Sequence, residues 1–172
     1  GAKACYGYDA STGEEIWKVT YDGFSNAATP VFVDGSLAVI NTGFGKPHLL
    51  GVWVDGSTKG DVTRSHVEWD VFKRIPKLSS PVVIDEKIYV TSDLGILSRI
   101  DAKTGETEAS IPLKARFAAS AVHADGHLYY LGEEGEGVVV QPGEDMKIIA
   151  TNQLDDGFMA SPALDGRAFY LR

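Results

Sequence analysis

The sequence is short of cysteine, of cations and of long apolar runs. Cys5 is the only cysteine among 172 residues, so the chain alone cannot form an internal disulfide or a thiolate zinc site. We expect this thiol to be a small buried apolar side chain. The longest apolar runs, such as residues 138–140, are only a few residues long, which excludes a membrane-spanning segment.

Cations are outnumbered, with 16 lysine and arginine residues against 24 aspartate and glutamate residues, a net charge of -8. A surface this acidic repels phosphate backbones and anionic lipid headgroups, so we expect no nucleic-acid partner and no polybasic membrane patch. The acidic run at residues 133–136 is expected to be a solvated loop. Hydrophobic residues make up 44% of the chain, which is ordinary for a soluble globular domain.

The first residues lack a charged start, an apolar stretch and a cleavage site, so we predict no signal peptide within them. They also lack an initiator methionine. We therefore expect the native protein to extend upstream of Gly1.

What the sequence does contain is an internal repeat. Four segments share a small or hydroxylated residue, an apolar run, an aspartate with glycine or glutamate, and a second apolar run. Their second positions are 51, 40 and 41 residues apart, and four-stranded propeller blades take roughly 40 to 50 residues. The segments are residues 29–35, 80–86, 120–126 and 161–166.

Each segment is predicted to be a strand, a tight turn and a second strand. Asp-Gly pairs supply the positive φ that a two-residue hairpin turn needs. The apolar runs are nearly continuous, which is typical of strands that are covered on both faces. No stretch has a helical period, so the sequence predicts an all-β fold. The second strands are expected at residues 36–42, 87–92, 127–132 and 167–171.

A second recurring element is an outer hairpin turn, in which aspartate and threonine oxygens bind nearby backbone N–H groups and glycine takes the left-handed conformation. Trp17 and Trp69 follow it on outer strands, 13 and 12 residues before Pro30 and Pro81. We expect these two rings to pack between adjacent blades. The turn residues of the two clearest copies are Asp9, Thr12 and Gly13, and Asp101, Thr104 and Gly105.

Residues 8–17 resemble the repeat of pyrroloquinoline-quinone (PQQ) enzyme-like β-propellers, and residues 101–106 are similar to a second copy in which Ala109 replaces the expected tryptophan. The resemblance covers essentially the whole chain. It implies a β-propeller of four-stranded antiparallel blades, about four per chain. The expected blades are residues 28–71, 80–111 and 119–151, with a composite blade of residues 160–172 and 3–19.

Residues 41–47, 55–57 and 66–69 are similar to a bacterial subgroup of PQQ-binding-like repeat proteins. Those proteins are exported and about twice this length, and this chain resembles their C-terminal half. The resemblance therefore implies a periplasmic or extracellular protein. The same fold is used by the scaffold lipoprotein of the outer-membrane barrel-assembly machinery and by quinoprotein dehydrogenases, so fold alone does not choose a function.

A quinoprotein dehydrogenase would imply a calcium ion, an aspartate base, a tryptophan stacked on PQQ and, in many members, adjacent cysteines. A single cysteine excludes the cysteine pair, and Trp17 and Trp69 already have an expected structural role. No set of glutamate, asparagine and aspartate ligands stands out. We predict no catalytic residue, no metal site and no cofactor, with PQQ and calcium as the alternative.

The composite blade raises the question of ring closure. Closure within one chain would give a four-bladed ring, whereas the family commonly closes with eight blades. Unpaired strand edges and apolar end faces favour association. We therefore predict a homodimer in which two copies complete an eight-bladed ring.

The loops between blades and between second and third strands meet on one face, where propellers bind ligands. Aromatic residues lie beside cations there, which suits a protein, peptide or glycan. The alternative is that the phenylalanines only cap the core. We predict a non-catalytic scaffold or binding module; the alternatives are a PQQ-dependent dehydrogenase fragment and a carbohydrate-binding accessory propeller. The candidate binding residues are Phe24, Phe44, Lys46, His48, Arg74, Lys77, Asp93, Arg116, Phe117 and Phe158.

Overall fold

The computed structural model describes all 172 residues, and every regular element in it is a β-strand. The all-β prediction is confirmed. No helix of the length and apolarity needed to cross a bilayer is present. Three antiparallel sheets have four strands each, in chain order from the inner to the outer strand.

We number these sheets blades 1 to 3. Blade 1 consists of β4 (Val31–Val33), β5 (Leu37–Asn41), β7 (Leu49–Trp53) and β9 (Val67–Val71). Blade 2 consists of β10 (Val82–Ile84), β11 (Lys87–Thr91), β12 (Ile96–Asp101) and β13 (Thr107–Pro112). Blade 3 consists of β14 (Val122–Ala124), β15 (His127–Leu131), β16 (Glu136–Gln141) and β17 (Lys147–Gln153).

A half-blade lies at each end of the chain. The N-terminal hairpin is β1 (Ala4–Tyr8) with β2 (Glu15–Thr20), and the C-terminal hairpin is β18 (Ala163–Asp165) with β19 (Ala168–Tyr170). The two hairpins are not hydrogen-bonded to each other within the chain. The composite blade therefore remains a prediction.

Turn chemistry explains the inner hairpins. Asp125 and Gly126 both have positive φ, 46° and 72°, as a two-residue hairpin turn with right-handed strand twist requires. In the C-terminal hairpin the turn residues are Gly166 and Arg167, since Asp165 still pairs with Ala168. The expected Asp-Gly turn is thus displaced by one residue there, because Gly166, with φ of 58°, takes the first turn position.

The outer turns have the same design in both clear copies. Asp9 Oδ1 accepts hydrogen bonds from the Thr12 N–H at 2.9 Å and from Ser11, and Asp101 Oδ1 accepts from the Thr104 N–H at 2.9 Å. Gly13 and Gly105 follow with φ of 76° and 71°. These hydrogen bonds, with that of the Ser11 hydroxyl first, lower the pKa of Asp9 to about 2.

The core consists of three apolar clusters, each filling the space between neighbouring sheets. One lies between the N-terminal hairpin and blade 1, one between blades 1 and 2, and one between blades 2 and 3. Trp69 belongs to the middle cluster, and its Nε1–H donates to the Ala102 carbonyl of the next blade at 2.8 Å. Its ring lies across Gly51, where a Cβ would collide with it.

Three short strands were not predicted. β3 (Gly23–Phe24) pairs with β6 (Phe44–Gly45), and β8 (Gly60–Asp61) runs parallel to β2 at the outer edge of the N-terminal hairpin. β8 belongs to the long connection between the third and fourth strands of blade 1. It ties that blade to the N-terminal hairpin, and Val62 beside it is buried in their shared core.

Candidate functional site

Glycines bring two loops of the predicted binding face together. A Cβ at Gly23 would collide with the Thr42 carbonyl, and at Gly43, where φ is 75°, it would lie 2.7 Å from the Phe24 carbonyl oxygen. Without side chains at these positions, β3 and β6 can pair. Phe24 and Phe44 then lie side by side, with ring centroids 6.1 Å apart.

Beside this pair lies an open cleft of about 760 Å³ between the N-terminal hairpin and blade 1. Its walls combine one aromatic edge with hydroxyl, amino, imidazole and carboxylate groups. Three of the predicted binding residues, Phe24, Lys46 and His48, line it. The other polar lining residues are Lys3, Thr20, Tyr21, Asp22, Thr42, Thr63 and Asp70.

His48 is fixed within the cleft from both sides. Its backbone N–H donates to the Thr42 hydroxyl at 2.8 Å, and its Nδ1 lies 2.6 Å from Asp70 Oδ1. A carboxylate can only accept, so the contact with Asp70 uses the Nδ1–H of the ring and leaves Nε2 for other partners. The arrangement therefore orients one ring nitrogen and leaves the other available to a ligand.

The cleft wall on the hairpin side is held by hydroxyl groups. The Thr20 and Thr63 hydroxyl oxygens lie 3.0 Å apart, and the Tyr21 hydroxyl donates to the Gly1 carbonyl at 3.1 Å. Burial raises the pKa of Tyr21 to about 12. Tyr21 thus remains a neutral hydrogen-bonding group throughout the physiological pH range.

Several lysine and arginine side chains in and around the cleft form no ion pair, although acidic residues outnumber basic ones in the chain. Lys3, Lys46, Lys73 and Arg74 have no carboxylate oxygen within 4 Å. The acidic loop at residues 133–136 lies in blade 3, on the far side of blade 2. The cleft itself carries both signs of charge, because Asp22 and Asp70 line it together with Lys3 and Lys46.

Three other predicted binding residues form contacts between neighbouring blades or loops: Lys77, Asp93 and Arg116. The Lys77 N–H donates to Asp93 Oδ1 at 2.9 Å, and its ammonium lies 3.4 Å from Asp93 Oδ2 and 5.9 Å from the Phe44 ring centroid. Arg116 Nε lies 3.5 Å from Glu133 Oε2. Only the Lys77 and Asp93 pair adjoins the Phe24 and Phe44 rings, through the contact of Lys77 with Phe44.

Phe117 and Phe158 lie apart from this cleft, in connections between blades, and both are buried. Phe117 packs edge-to-face on Tyr130, with centroids 5.7 Å apart, in the core between blades 2 and 3. The Phe158 N–H donates to the Gly132 carbonyl. Less than a tenth of either residue is exposed.

Sequence reasoning missed Asp70, Tyr21 and Thr63 as cleft residues. Asp70 reaches His48 because Leu49 pairs with Val71, which puts residue 70 beside the start of β7. The sequence signal that could have identified these residues is their position, since hydroxyl and carboxylate side chains at strand ends next to the loop face can reach a site there.

Two of the three tryptophans are packed in a way that does not suit the PQQ site that the resemblance implies. Trp69 is buried against Gly51 and the next blade, and Trp17 lies across Gly7 in the same way, so neither ring is free to stack on a planar cofactor. No three His, Cys, Asp or Glu side chains converge on a possible metal position. Cys5 is half-buried, and burial raises the pKa of its thiol.

No protein-family model and no curated protein matches the chain. Solved structures do match. BamB from Moraxella catarrhalis is 15% identical, with a TM-score of 0.74 over 98% of this chain and 48% of that one. A quinohemoprotein alcohol dehydrogenase, ADHIIG, from Pseudomonas putida HK5 is 18% identical, with a TM-score of 0.55 over 91% of this chain and 22% of that one.

A europium-containing methanol dehydrogenase is 12% identical, with a TM-score of 0.58 over 88% of this chain and 27% of that one. The chain thus spans about half, or less, of the length of the structures it matches. At these identities the likeness concerns the fold. Together with the stacked four-stranded sheets, it shows that the chain has the β-propeller fold of PQQ-like repeats.

Proposed function

We propose that this chain is a non-catalytic binding module whose loop-face cleft takes an extended segment of a partner protein. The observation that carries the proposal is one open cleft that contains the Phe24 ring, an oriented His48 and the unpaired Lys3 and Lys46, with the Phe44 ring packed beside Phe24. An aromatic anchor beside fixed polar groups is the composition of a recognition surface.

The chemistry of the cleft indicates the chemistry of the segment. Phe24 is 52% exposed and can stack on an aromatic or aliphatic side chain. Lys3 and Lys46 lie in the same cleft, and they would favour a carboxylate close to that apolar anchor. We therefore expect an acidic segment with at least one large apolar residue.

A selection from a random peptide library on the immobilised chain tests this proposal. We expect acidic, aromatic-containing peptides to be enriched, and the affinity of the best one, measured by calorimetry, to fall at least tenfold in Phe24→Ala. Trp53→Ala is the matched control, because Trp53 is 49% exposed but lies at the opposite end of β7. Equal losses in both variants, or no enrichment, would contradict the proposal.

We propose further that the module works without PQQ, in keeping with the packing of Trp17 and Trp69. Adding PQQ with Ca²⁺ should leave the melting temperature unchanged and give no alcohol-dependent dye reduction. A thermal shift with dye reduction would favour the dehydrogenase alternative. Selective binding on a glycan array would favour the carbohydrate-binding alternative.

We also propose that the protein is exported, as the resemblance implies, and that two copies form one eight-bladed ring. The half-blades at the two ends support the ring, because each lacks the strands that the other has. Such a ring would carry two copies of the cleft. Light scattering that gives twice the 18.5 kDa chain mass is the expected result.

A further inference from the structure

The two half-blades are complementary in a specific way. The N-terminal hairpin has the third and fourth strands of a blade, and the C-terminal hairpin has the first and second. The missing hydrogen-bonded ladder is therefore one between a second strand, β19, and a third strand, β1. In complete blades the corresponding pairs are β5 with β7, β11 with β12, and β15 with β16.

A β-bulge marks the same position on every third strand. The register shifts directly after Gly51, Arg99 and Val139 in blades 1 to 3, and directly after Gly7 in the N-terminal hairpin. Since a bulge fixes local register, these four residues occupy equivalent places. Each lies opposite the fourth-strand residue of its own sheet, in chain order Trp17, Trp69, Ala109 and Ala150.

The second-strand partners of these residues are equally regular. Gly51 pairs with Val39, Arg99 with Tyr89, and Val139 with Tyr129. Each of those residues pairs in turn with the first residue of its first strand, in chain order Val31, Val82 and Val122. In the C-terminal hairpin that first residue is Ala163, and it pairs with Tyr170. Tyr170 is therefore the residue that belongs opposite Gly7.

A chain of hydrogen bonds links the residues that precede the first strand of each blade, and it stops at both ends of the protein. The Thr29 N–H donates to the Ser80 hydroxyl, the Ser80 N–H to the Ser120 hydroxyl, and the Ser120 N–H to the Ser161 hydroxyl, at 2.9, 2.8 and 2.9 Å. The Ser161 N–H has no hydroxyl acceptor of this kind, and the Thr29 hydroxyl accepts no hydrogen bond of this kind. A Ser161 N–H that meets the Thr29 hydroxyl of another copy would continue the pattern.

Both end faces expose large apolar side chains that are buried in the equivalent places of complete blades. Tyr170 is 61% exposed, whereas its equivalent Tyr89 is buried between blades 2 and 3. Tyr8 is 57% exposed, whereas its equivalent Ile100 is buried between blades 1 and 2. Phe32 is 52% exposed on the face of blade 1 that a composite blade would cover.

We propose that β19 of one copy adds to β1 of a second copy, antiparallel, with Tyr170 opposite Gly7. The inference deepens the proposed two-copy ring, on which it rests. A second copy is the occupant because β1 and β19 of one chain do not pair, whereas the hairpins that contain them each have the two strands that the other lacks. Two such joins complete two four-stranded blades.

The register gives an experiment with the natural thiol. Counting two residues from the Tyr170 and Gly7 pair puts residue 172 opposite Cys5, a separation that a disulfide can span. Arg172→Cys should therefore form an inter-chain disulfide with Cys5 under mild oxidation, seen as a doubled mass on a non-reducing gel. Leu171→Cys is the matched control, because adjacent residues on a strand face opposite sides of the sheet.

We expect at least tenfold more cross-linked product from Arg172→Cys than from Leu171→Cys, and none from Arg172→Cys combined with Cys5→Ser. Light scattering on the unmodified chain is measured beside it. A dimer in which both cysteine variants cross-link equally or not at all would overturn this register but keep the two-copy ring. A monomer, or a disulfide confined to one chain, would overturn the second copy as occupant.

Discussion

Gly105→Ala should destabilise the protein more than its backbone conformation alone explains. At φ of 71° an alanine costs about 1 kcal/mol relative to a right-handed conformation. A Cβ at this position would also lie 2.7 Å from Trp69 Cγ, and such overpacking costs about 1–3 kcal/mol. Displacing the ring would weaken the Trp69 Nε1–H bond to the Ala102 carbonyl, a bond worth about 1 kcal/mol.

The matched control is Gly35→Ala in the inner turn of blade 1. Its φ is 70°, and no atom lies within 4 Å of the added Cβ, so it carries the backbone cost alone. Guanidinium unfolding followed by tryptophan fluorescence should give a free energy of unfolding about 2 kcal/mol lower for Gly105→Ala than for Gly35→Ala, with equal m-values. Equal losses in the two variants, within about 0.5 kcal/mol, would refute the packing of Trp69 against this turn.

Two further predictions concern single hydrogen-bonding groups. Ser120→Ala leaves the Ser80 N–H without its acceptor and should lower the free energy of unfolding by about 1–3 kcal/mol. Ser161→Ala removes the equivalent but solvent-exposed hydrogen bond from the Ser120 N–H, and a loss from Ser120→Ala no larger than that of Ser161→Ala would contradict this. The pKa of Asp101 is lowered from 3.8 to about 2, chiefly by the hydrogen bond from Lys87. Its contribution to stability is therefore complete above about pH 4 and is lost as the pH falls toward 2. The urea midpoint of Asp101→Asn should accordingly vary less over that range than that of the unmodified chain, and parallel pH profiles would contradict the assignment.

The fold could be predicted from the sequence because its signals are local. The recurrence of Asp-Gly turns, the Asp-Thr-Gly outer turns and the apolar runs each act over fewer than about ten residues, and the repeat multiplies their evidence. Blade strands accordingly lie within a few residues of their expected bounds, as with β11 at Lys87–Thr91. The short strands β3, β6 and β8 escaped prediction because two-residue pairings depend on where distant loops meet.

The cleft was only partly predictable for the same reason. Phe24, Lys46 and His48 could be assigned to the loop face from the order of strands and loops. Asp70 could not be paired with His48, because that contact depends on the register between β7 and β9, which the bulge after Gly51 shifts by one residue. A one-residue difference in register changes which side chains face a site.

The missing tryptophan of blade 2 has a structural replacement that the repeat motif does not reveal. Between blades 1 and 2, Trp69 on the fourth strand hydrogen-bonds the outer turn of the next blade through Ala102. Between blades 2 and 3, Tyr89 on the second strand does so instead, since the Gly143 N–H donates to its hydroxyl at 3.2 Å. Tyr89 and Ala109, the equivalent of Trp69, belong to one row of directly paired residues across blade 2. The aromatic side chain in this row therefore lies two strands further inward than in blade 1.

The rest of that row changes with the ring. In blade 1 the row reads Val39, Gly51 and Trp69, and the glycine is required because the tryptophan ring covers it. In blade 2 the row reads Tyr89, Arg99 and Ala109, so a small fourth-strand residue leaves room for a long third-strand side chain, whose Nε lies 3.0 Å from Glu108 Oε2. Each row fills one gap between blades, so the sizes of its three side chains depend on one another. A tryptophan on the fourth strand is therefore only one of the ways in which the sequence can indicate a packed blade.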